Sequence, residues 1–468
     1  MDTMTSKLRA LALAEPIFVV GMGASGHVAL DLLREAGYDA IGLDERLDER
    51  RIEKRDFDDP QAFAGAGTLV VSPGVDRRRA AFTHSYAQQI NDIELFARLN
   101  DKPVLAVTGS NGKSTVVTLL AQALNHAGHK AKLCGNIGRP VLDALFDGEA
   151  ADCYVIELSS YQLELCPSLY PRVAAVLNVT PDHLDRYDDF AAYAAAKANL
   201  VRQSSICILN GDDEACVAMA EDGQNIIYYG SSATLPNRVE GGKIWLHGHA
   251  LLETARLRLG GAHNHANVLC TLLMLEAYGV APQQVLAALE TFAGLPHRMQ
   301  LVSEENGVRW YDDSKATNIG AAAAALAGID GAVVLIAGGV GVLGWWVSST
   351  LIGSLGVVIA SGAAATVVGL TAVLASRLWR FPSVAIIAAG IVPLVPGLSL
   401  YNGLMGVIEN PPTDPEFLLS LAILARAIMI GVAIAIGASL GNMIGRPVRR
   451  GMIRWYNKLL RRRELNIQ

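Results

Sequence analysis

The chain has 468 residues, with 39 Lys and Arg against 45 Asp and Glu, for a formal net charge of −6. That average hides two unlike parts: residues 1–339 carry 28 basic and 41 acidic side chains, whereas residues 340–468 carry 11 basic and four acidic ones. Such asymmetry excludes one uniform environment and sets water around the first part and an anionic membrane surface beside the last. No nucleic-acid partner is expected. The six cysteines, Cys134, Cys153, Cys166, Cys207, Cys216 and Cys270, show no C-x-x-C spacing. They read as reduced, buried thiols of a cytosolic protein rather than as a zinc site. The first residues lack an apolar segment with basic and small-residue flanks, so secretion of the first part is not expected.

The first unit covers residues 1–100. Pro16–Val20 is an apolar strand, Gly21-Met22-Gly23-Ala24-Ser25-Gly26 is a G-x-G-x-x-G turn, His27–Ala36 has helical spacing, and Tyr38–Leu43 is a second strand ending at Asp44. Glycines there allow a tight turn and bring backbone amides close to a diphosphate at a helix N-terminus. The motif alone leaves dinucleotide and UDP ligands equally open, as well as a turn that binds nothing. The acidic Asp44 taken by itself points to a ribose hydroxyl and NAD.

The second unit covers residues 101–300. Val104–Val107 is a buried strand, Thr108-Gly109-Ser110-Asn111-Gly112-Lys113-Ser114-Thr115 follows it, and Val116–Ala127 is an apolar helix. Strand, glycine turn, Lys and hydroxyls in that order form a phosphate loop, in which amides and Lys113 meet phosphate oxygens and a hydroxyl reaches Mg²⁺. The pattern departs from the strict G-x-x-x-x-G-K-[ST] form, because Val107 stands at the first glycine. Tyr154–Glu157 and Ala174–Leu177 are further strands, the second running into Asn178-Val179-Thr180-Pro181-Asp182-His183. In an open α/β sheet both deliver their polar ends to the edge where nucleotides bind. Glu157 and His183 are candidate metal and phosphate ligands there; on its own, His183 is as ordinary as any loop histidine.

Residues 15–339 resemble the Mur ligase family, most closely its D-glutamate-adding branch. The resemblance rests on GMGASG, SPGV (72–75), NDIELF (91–96), TGSNGKST, GNIGRP (135–140), ELSSYQLE (157–164), NVTPDHLDRY (178–187), HNHAN (263–267), GLPHRM (294–299) and DDSKATN (312–318). It implies a fold of a Rossmann-like domain followed by a phosphate-loop domain. It implies a reaction in which ATP phosphorylates the carboxylate of UDP-N-acetylmuramoyl-L-alanine and D-glutamate attacks the acyl phosphate, with Mg²⁺ as cofactor. By motif, Gly109, Asn111, Gly112, Lys113, Ser114 and Thr115 hold the ATP phosphates, and Asn264, Asn267, Arg298 and Asp313 contact the nucleotide. Ser25, Asp44, Arg46, Gly74, Asn136 and His183 match the UDP-substrate positions, which sets NAD aside. Ser114, Glu157, His183 and Lys197 match metal positions, Lys197 if it is carbamylated. Lys113, Lys197 and His183 carry the catalytic roles, and Lys315 and Thr317 face the incoming amino acid.

A third ligase domain is expected to begin at residue 301, with Val333–Gly339 as a strand. Where the family continues Asp-Gly-Lys, this chain has Val340-Gly341-Val342, and no charged side chain occurs between Asp330 and Arg377. Residues 340–445 therefore read as transmembrane helices in place of that domain, with a basic cytosolic tail over 446–468. Phe381–Ile408 and Phe417–Ile444 exceed the roughly 18 apolar residues that a bilayer core of about 30 Å requires. Val340–Ser376 holds one long span or two short ones. Positive loops put Arg377 and Arg446 in the cytosol and the Glu409–Glu416 loop outside, and Met452–Arg463 suits an interfacial helix.

The segment Ile391-Val392-Pro393-Leu394-Val395-Pro396-Gly397-Leu398-Ser399-Leu400-Tyr401, with its apolar neighbours, resembles a threonine/serine exporter-type membrane domain over residues 340–455. Arg426 within the last span is either a substrate contact or a side chain paired or snorkelling at a helix. Three arrangements are open: a ligase with a membrane anchor, an exporter with a soluble nucleotide-binding module, or a junction of two incomplete proteins.

Overall fold

The computed structural model describes residues 3–45, 52–181, 186–296, 298–305, 308–313, 356–370 and 415–464. The chain divides into two compact units, Met1–Asp330 and Gly331–Gln468.

In the first unit, β1 (Ile17–Val20), β2 (Ala40–Asp44), β3 (Ile52–Lys54), β4 (Thr68–Val71) and β5 (Gln88–Ile90) form a sheet ordered β3-β2-β1-β4-β5. Every pairing is parallel. This is the Rossmann-like arrangement that the G-x-G-x-x-G turn implied, with its ligand edge at the carboxyl ends of the strands. The helix behind the turn is Ala24–Glu35. It begins three residues ahead of the apolar periodicity, because Ala24, Ser25 and Gly26 contribute no apolar repeat to read.

A second sheet holds β6 (Val104–Thr108), β7 (Ala131–Gly135), β8 (Cys153–Glu157), β9 (Val173–Val176), β10 (Ile206–Asn210) and β11 (Ile226–Tyr229), ordered β11-β10-β9-β6-β8-β7 and parallel throughout. Central β6 is buried along its whole length. Its side chains alternate between two cores, Val104 and Ala106 on one face, Leu105 and Val107 on the other. Both faces of a parallel sheet are covered, so the strand reads as an unbroken apolar run. Strands β12 (Arg238–Glu240), β13 (Lys243–Leu246) and β14 (His249–Glu253) add a small antiparallel sheet, and β15 (Gln300–Glu305) pairs with β16 (Val308–Asp312) as a hairpin.

The two parallel sheets share a core cluster running from Leu8 to Met219. Polar ties cross the same seam. Asn91 Nδ2 donates to the Gln162 carbonyl at 2.7 Å, and the fully buried Glu94 accepts from Ser168 N and Oγ at 2.9 and 2.7 Å. NDIELF is therefore a joint between the sheets. Buried polar groups of this kind fix a relative orientation, because each would be left unsatisfied if the seam opened.

Among the described residues, the second unit is all helical: Gly356–Leu370 and Pro415–Glu464. Ala364, Ala365 and Val368 pack against Ile430 and Ile434. The backbones come close where a Cβ on Gly437 would stand 2.1 Å from the Gly362 carbonyl oxygen. Phe417–Leu440, 24 residues, is the one helix among the described residues long and apolar enough to cross a membrane. Met452–Arg463, read from the sequence as a separate interfacial helix, is continuous with it. Val333–Gly339, Phe381–Ile408 and the Pro393–Pro396 segment lie outside the described residues.

Candidate functional site

The first turn is shaped by close backbone approach. Gly21 has φ +86°, and a Cβ on Gly26 would stand 2.2 Å from the Gly21 carbonyl oxygen, which also accepts from Ser72 Oγ at 2.6 Å. Asp44, at the end of β2, accepts from the Met22 amide at 2.9 Å, so its carboxylate braces the turn. Gly74 and Val75 offer their carbonyls to Arg186 at 3.1 and 2.8 Å, joining the UDP-substrate candidates to the central domain. Ser25 is half-buried beside Asp92. Arg46 lies outside the described residues.

The second turn joins β6 to the helix Lys113–His126. Gly109 and Gly112 have φ +150° and +86°, conformations that strain any L side chain. The turn is held on both sides. Asn111 N donates to Asn178 Oδ1 at 2.8 Å while Asn178 Nδ2 donates to the Asn111 carbonyl at 3.0 Å. Ser110 Oγ donates to the Thr180 carbonyl at 3.0 Å and lies 3.0 Å from the Tyr193 hydroxyl. Lys113 Nζ donates to the carbonyls of Gly109 and Ser110, both at 2.9 Å, placing a cation against the turn itself.

A cleft of about 250 Å³ opens beside this turn. Asn111, Gly112, Thr115, Asn264, Asn267, Arg298 and Asp313 line it, seven of the ten nucleotide candidates. Asn264 and Asn267 come from the first turns of the helix Ala262–Tyr278, and Asn264 Nδ2 is anchored on the Gly260 carbonyl at 2.8 Å. Asp313 accepts from Met299 N at 3.1 Å, and burial raises its carboxyl above the ordinary range. Arg298 Nη2 reaches Ser114 Oγ at 3.4 Å. Lys315 and Thr317 lie outside the described residues.

On the other side of β6, Glu157 is 2% exposed. Its Oε1 accepts from Asn136 Nδ2 at 2.8 Å, and its Oε2 is buried without a hydrogen-bond partner. Lys197 is 1% exposed, donates to the Gly109 carbonyl at 3.0 Å, and stands over the Tyr193 ring at 4.7 Å. A buried carboxylate oxygen lacking a donor, close in chain topology to a phosphate loop, fits a hard cation with oxygen ligands. Ser114, Glu157 and a carbamylated Lys197 would supply such oxygens. His183 lies outside the described residues, among which no group of three or more His, Cys, Asp or Glu is placed to hold a metal. Tyr193 and Asp92 were missed from the sequence. Tyr193 precedes Lys197 by one helical turn, and that i, i+4 spacing was the available signal.

Two parallel sheets with glycine turns at their carboxyl edges, one armed with Lys and hydroxyls, define an α/β enzyme class that handles nucleotides and phosphate. Residues 107–275 match the family model for the Mur ligase middle domain, and residues 317–444 match that of the Threonine/Serine exporter, ThrE. The second match begins ahead of residue 340, where loss of the ligase motifs set the change. The UDP-N-acetylmuramoylalanine–D-glutamate ligase of Alcanivorax borkumensis is 41% identical over 347 residues, covering 69% of this chain and 77% of that one. Its counterpart in Methylococcus capsulatus is 40% identical over 345 residues, covering 69% and 75%. A pseudomurein peptide ligase type C from Methanothermus fervidus is 20% identical in structural superposition, covering 67% of this chain and 77% of that one at a TM-score of 0.44. This chain belongs to the UDP-N-acetylmuramoylalanine–D-glutamate ligase family, and it joins a ligase region to an exporter-type C-terminal segment.

Proposed function

We propose that residues 1–339 bind UDP-N-acetylmuramoyl-L-alanine and ATP with Mg²⁺ as a D-glutamate ligase does, and that ligation itself is weak. In the reaction, the alanine carboxylate attacks the γ-phosphorus of ATP, releasing ADP and leaving an acyl phosphate. The D-glutamate amine then adds to the acyl carbon, the tetrahedral intermediate expels phosphate, and an amide remains. The observation that carries the reading is the cleft in which Asn111, Gly112, Thr115, Asn264, Asn267, Arg298 and Asp313 converge beside the phosphate loop. Lys113 would neutralise the phosphate oxygens as charge moves, and the second glycine turn would hold them by its amides. Mg²⁺, held by Ser114, Glu157, His183 and carbamylated Lys197, would supply charge neutralisation at the same oxygens. Ser25, Asp44, Arg46, Gly74 and Asn136 would hold the UDP precursor.

Ligation is weak in this reading because Val342 stands where the family resemblance implies a Lys, and the segment from 340 onward is apolar. The domain limits that follow are 1–100 for the UDP-substrate domain, 101–300 for the ATP domain, 301–339 for the start of the third, 340–445 for membrane helices and 446–468 for a basic tail. Residues 1–339 then stand in the cytoplasm, tethered to the inner membrane. The match of residues 317–444 to an exporter model, with the apolar Phe417–Leu440, supports a second reading in which the chain moves a small amino acid such as threonine or serine. The test is D-glutamate incorporation by the full chain in liposomes, with UDP-N-acetylmuramoyl-L-alanine, ATP and Mg²⁺, and ATP binding measured in the same sample. Binding with little or no product is expected. Steady product at an ordinary rate would overturn the account of the third domain, and threonine efflux from the liposomes would favour the second reading.

A further inference from the structure

The Ser72–Val75 segment leaves the carboxyl end of β4 as a four-residue turn, closed by the Val75 amide donating to the Ser72 carbonyl at 3.1 Å. It has two anchors. At its start, Ser72 Oγ donates to the Gly21 carbonyl at 2.6 Å and ties it to the first glycine turn. Its far end is held from the central domain. Arg186, on the segment that follows β9, donates from Nη1 to the Gly74 carbonyl at 3.1 Å and from Nη2 to the Val75 carbonyl at 2.8 Å.

The fork is set independently of the turn it grips. The Arg186 guanidinium lies over the Tyr161 ring, 4.4 Å from its centre, with Asp76 Oδ1 3.9 Å from its Nε. Tyr161 stacks on Tyr187 with ring centres 5.8 Å apart, and the Tyr187 hydroxyl donates to Glu164 at 2.7 Å. Glu164 also accepts from Arg77 at 2.9 Å, so the shelf beneath Arg186 is itself fastened to the first sheet's side of the seam. A planar cation already seated on an aromatic face loses little freedom when it bonds two carbonyls at once. The pairing also has an electrostatic consequence. Carbonyl oxygens loose at the edge of an anion site would repel a diphosphate, and the guanidinium holds two of them to itself.

We infer that Arg186 is a positioning residue for the UDP precursor: it reaches from the central domain to hold the Ser72–Val75 turn against the first glycine turn, and so sets one wall of the precursor's site. That role rests on the reading that the first glycine turn takes the precursor. Titration calorimetry on the full chain in detergent tests it, with UDP-N-acetylmuramoyl-L-alanine and ATP–Mg²⁺ measured separately and thermal unfolding followed in parallel. Arg186→Ala and Ser72→Ala are each expected to weaken precursor binding about tenfold or more. The double variant should be no worse than the weaker single one, because the turn is already released. ATP affinity should stay within about twofold. Arg186→Lys keeps the charge beside Asp76 without the planar fork and should recover little of the loss. Ser168→Ala cuts a tie to Glu94 elsewhere on the same seam, and should lower the unfolding midpoint while leaving precursor affinity unchanged. Unchanged precursor affinity in Arg186→Ala, an equal loss of ATP affinity, additive losses in the double variant, or full recovery in Arg186→Lys would each overturn the proposal. So would a like loss in Ser168→Ala, which would make Arg186 one more seam contact. A wild-type chain that binds ATP and not the precursor would remove the reading of the first turn, and this inference with it.

Discussion

Residues 21–26 and 109–115 build the same device twice, a parallel strand entering a glycine turn and then a helix, and they use glycine for different ends. In the first turn the decisive glycine is Gly26, which lets the helix press onto the Gly21 carbonyl. In the second the glycines set backbone direction, at φ +150° and +86°, a use that the first shares at Gly21 alone, φ +86°. The first turn has no cation of its own, whereas Lys113 lies across the carbonyls of the second. Each turn carries a serine backed by a buried partner, Asp92 behind Ser25 and Tyr193 behind Ser110. Under the proposed function, the difference separates two tasks. Amides and a hydroxyl suffice to hold an anion whose charge stays constant. A phosphoryl group in transfer needs a mobile cation to follow its charge.

The largest effect should come from the cation. Lys113→Met is expected to weaken ATP–Mg²⁺ binding roughly 10- to 150-fold, from about 1.5–3 kcal/mol for a hydrogen bond to a charged group. Precursor affinity should stay within twofold. Equal losses for both ligands would mean that the two turns are one site. Gly26→Ala comes next. Its Cβ would meet a backbone oxygen at 2.2 Å, which no side-chain rotation relieves, and overpacking of that kind costs about 1–3 kcal/mol. Thermal unfolding should register it, with precursor affinity falling and ATP affinity intact. Gly112→Ala should show the converse, since its Cβ meets the movable end of Asn267 at 2.9 Å and the penalty is backbone strain of about 1–2 kcal/mol.

The titratable partner gives the first turn a pH dependence that the second lacks. The Asp92 carboxyl is pushed up to about 6 in the folded chain, against about 3.9 in an unfolded one. The folded state therefore binds the proton more tightly. The contribution is present in full below about pH 4 and is lost as pH rises through about 6, amounting to about 2–3 kcal/mol. Asp92→Asn should raise the unfolding midpoint relative to wild type at pH 7.5 and give no such gain at pH 4. A gain equal at both values would show that the carboxyl does not titrate in this window.

Both turns and the strands that feed them were legible because burial leaves an apolar run and the turn requires glycine. The cleft was not legible in that sense. Asn264, Asn267, Arg298 and Asp313 stand more than 140 residues beyond Lys113, and no periodicity relates them; they were named through family resemblance and joined only by the fold. Asp92 and Tyr193 escaped because a buried polar pair has no sequence period, and Tyr193 lies 83 residues from Ser110. In the C-terminal unit the span Phe417–Leu440 was legible from its apolar length, with Arg426 its one charged side chain. The single helix to Glu464 was not, because Gly445, Pro447 and Gly451 read as breakers.

The smallest change sharpens the comparison at the second serine. Tyr193 does two things at once: its hydroxyl lies 3.0 Å from Ser110 Oγ, and its ring lies under Lys197 Nζ at 4.7 Å. Tyr193→Phe removes the first and keeps the second. Ser110 Oγ still donates to the Thr180 carbonyl at 3.0 Å, so the serine is not left unsatisfied and the loss should be about 1 kcal/mol or less. Chemical denaturation would show a lower midpoint at unchanged slope. Since no carboxyl backs this serine, the deficit should be the same at pH 5.5 and pH 8, unlike the pH-dependent gain of Asp92→Asn. A deficit that grew across that range would tie Tyr193 to the protonation of Lys197 and make the second turn as pH-sensitive as the first.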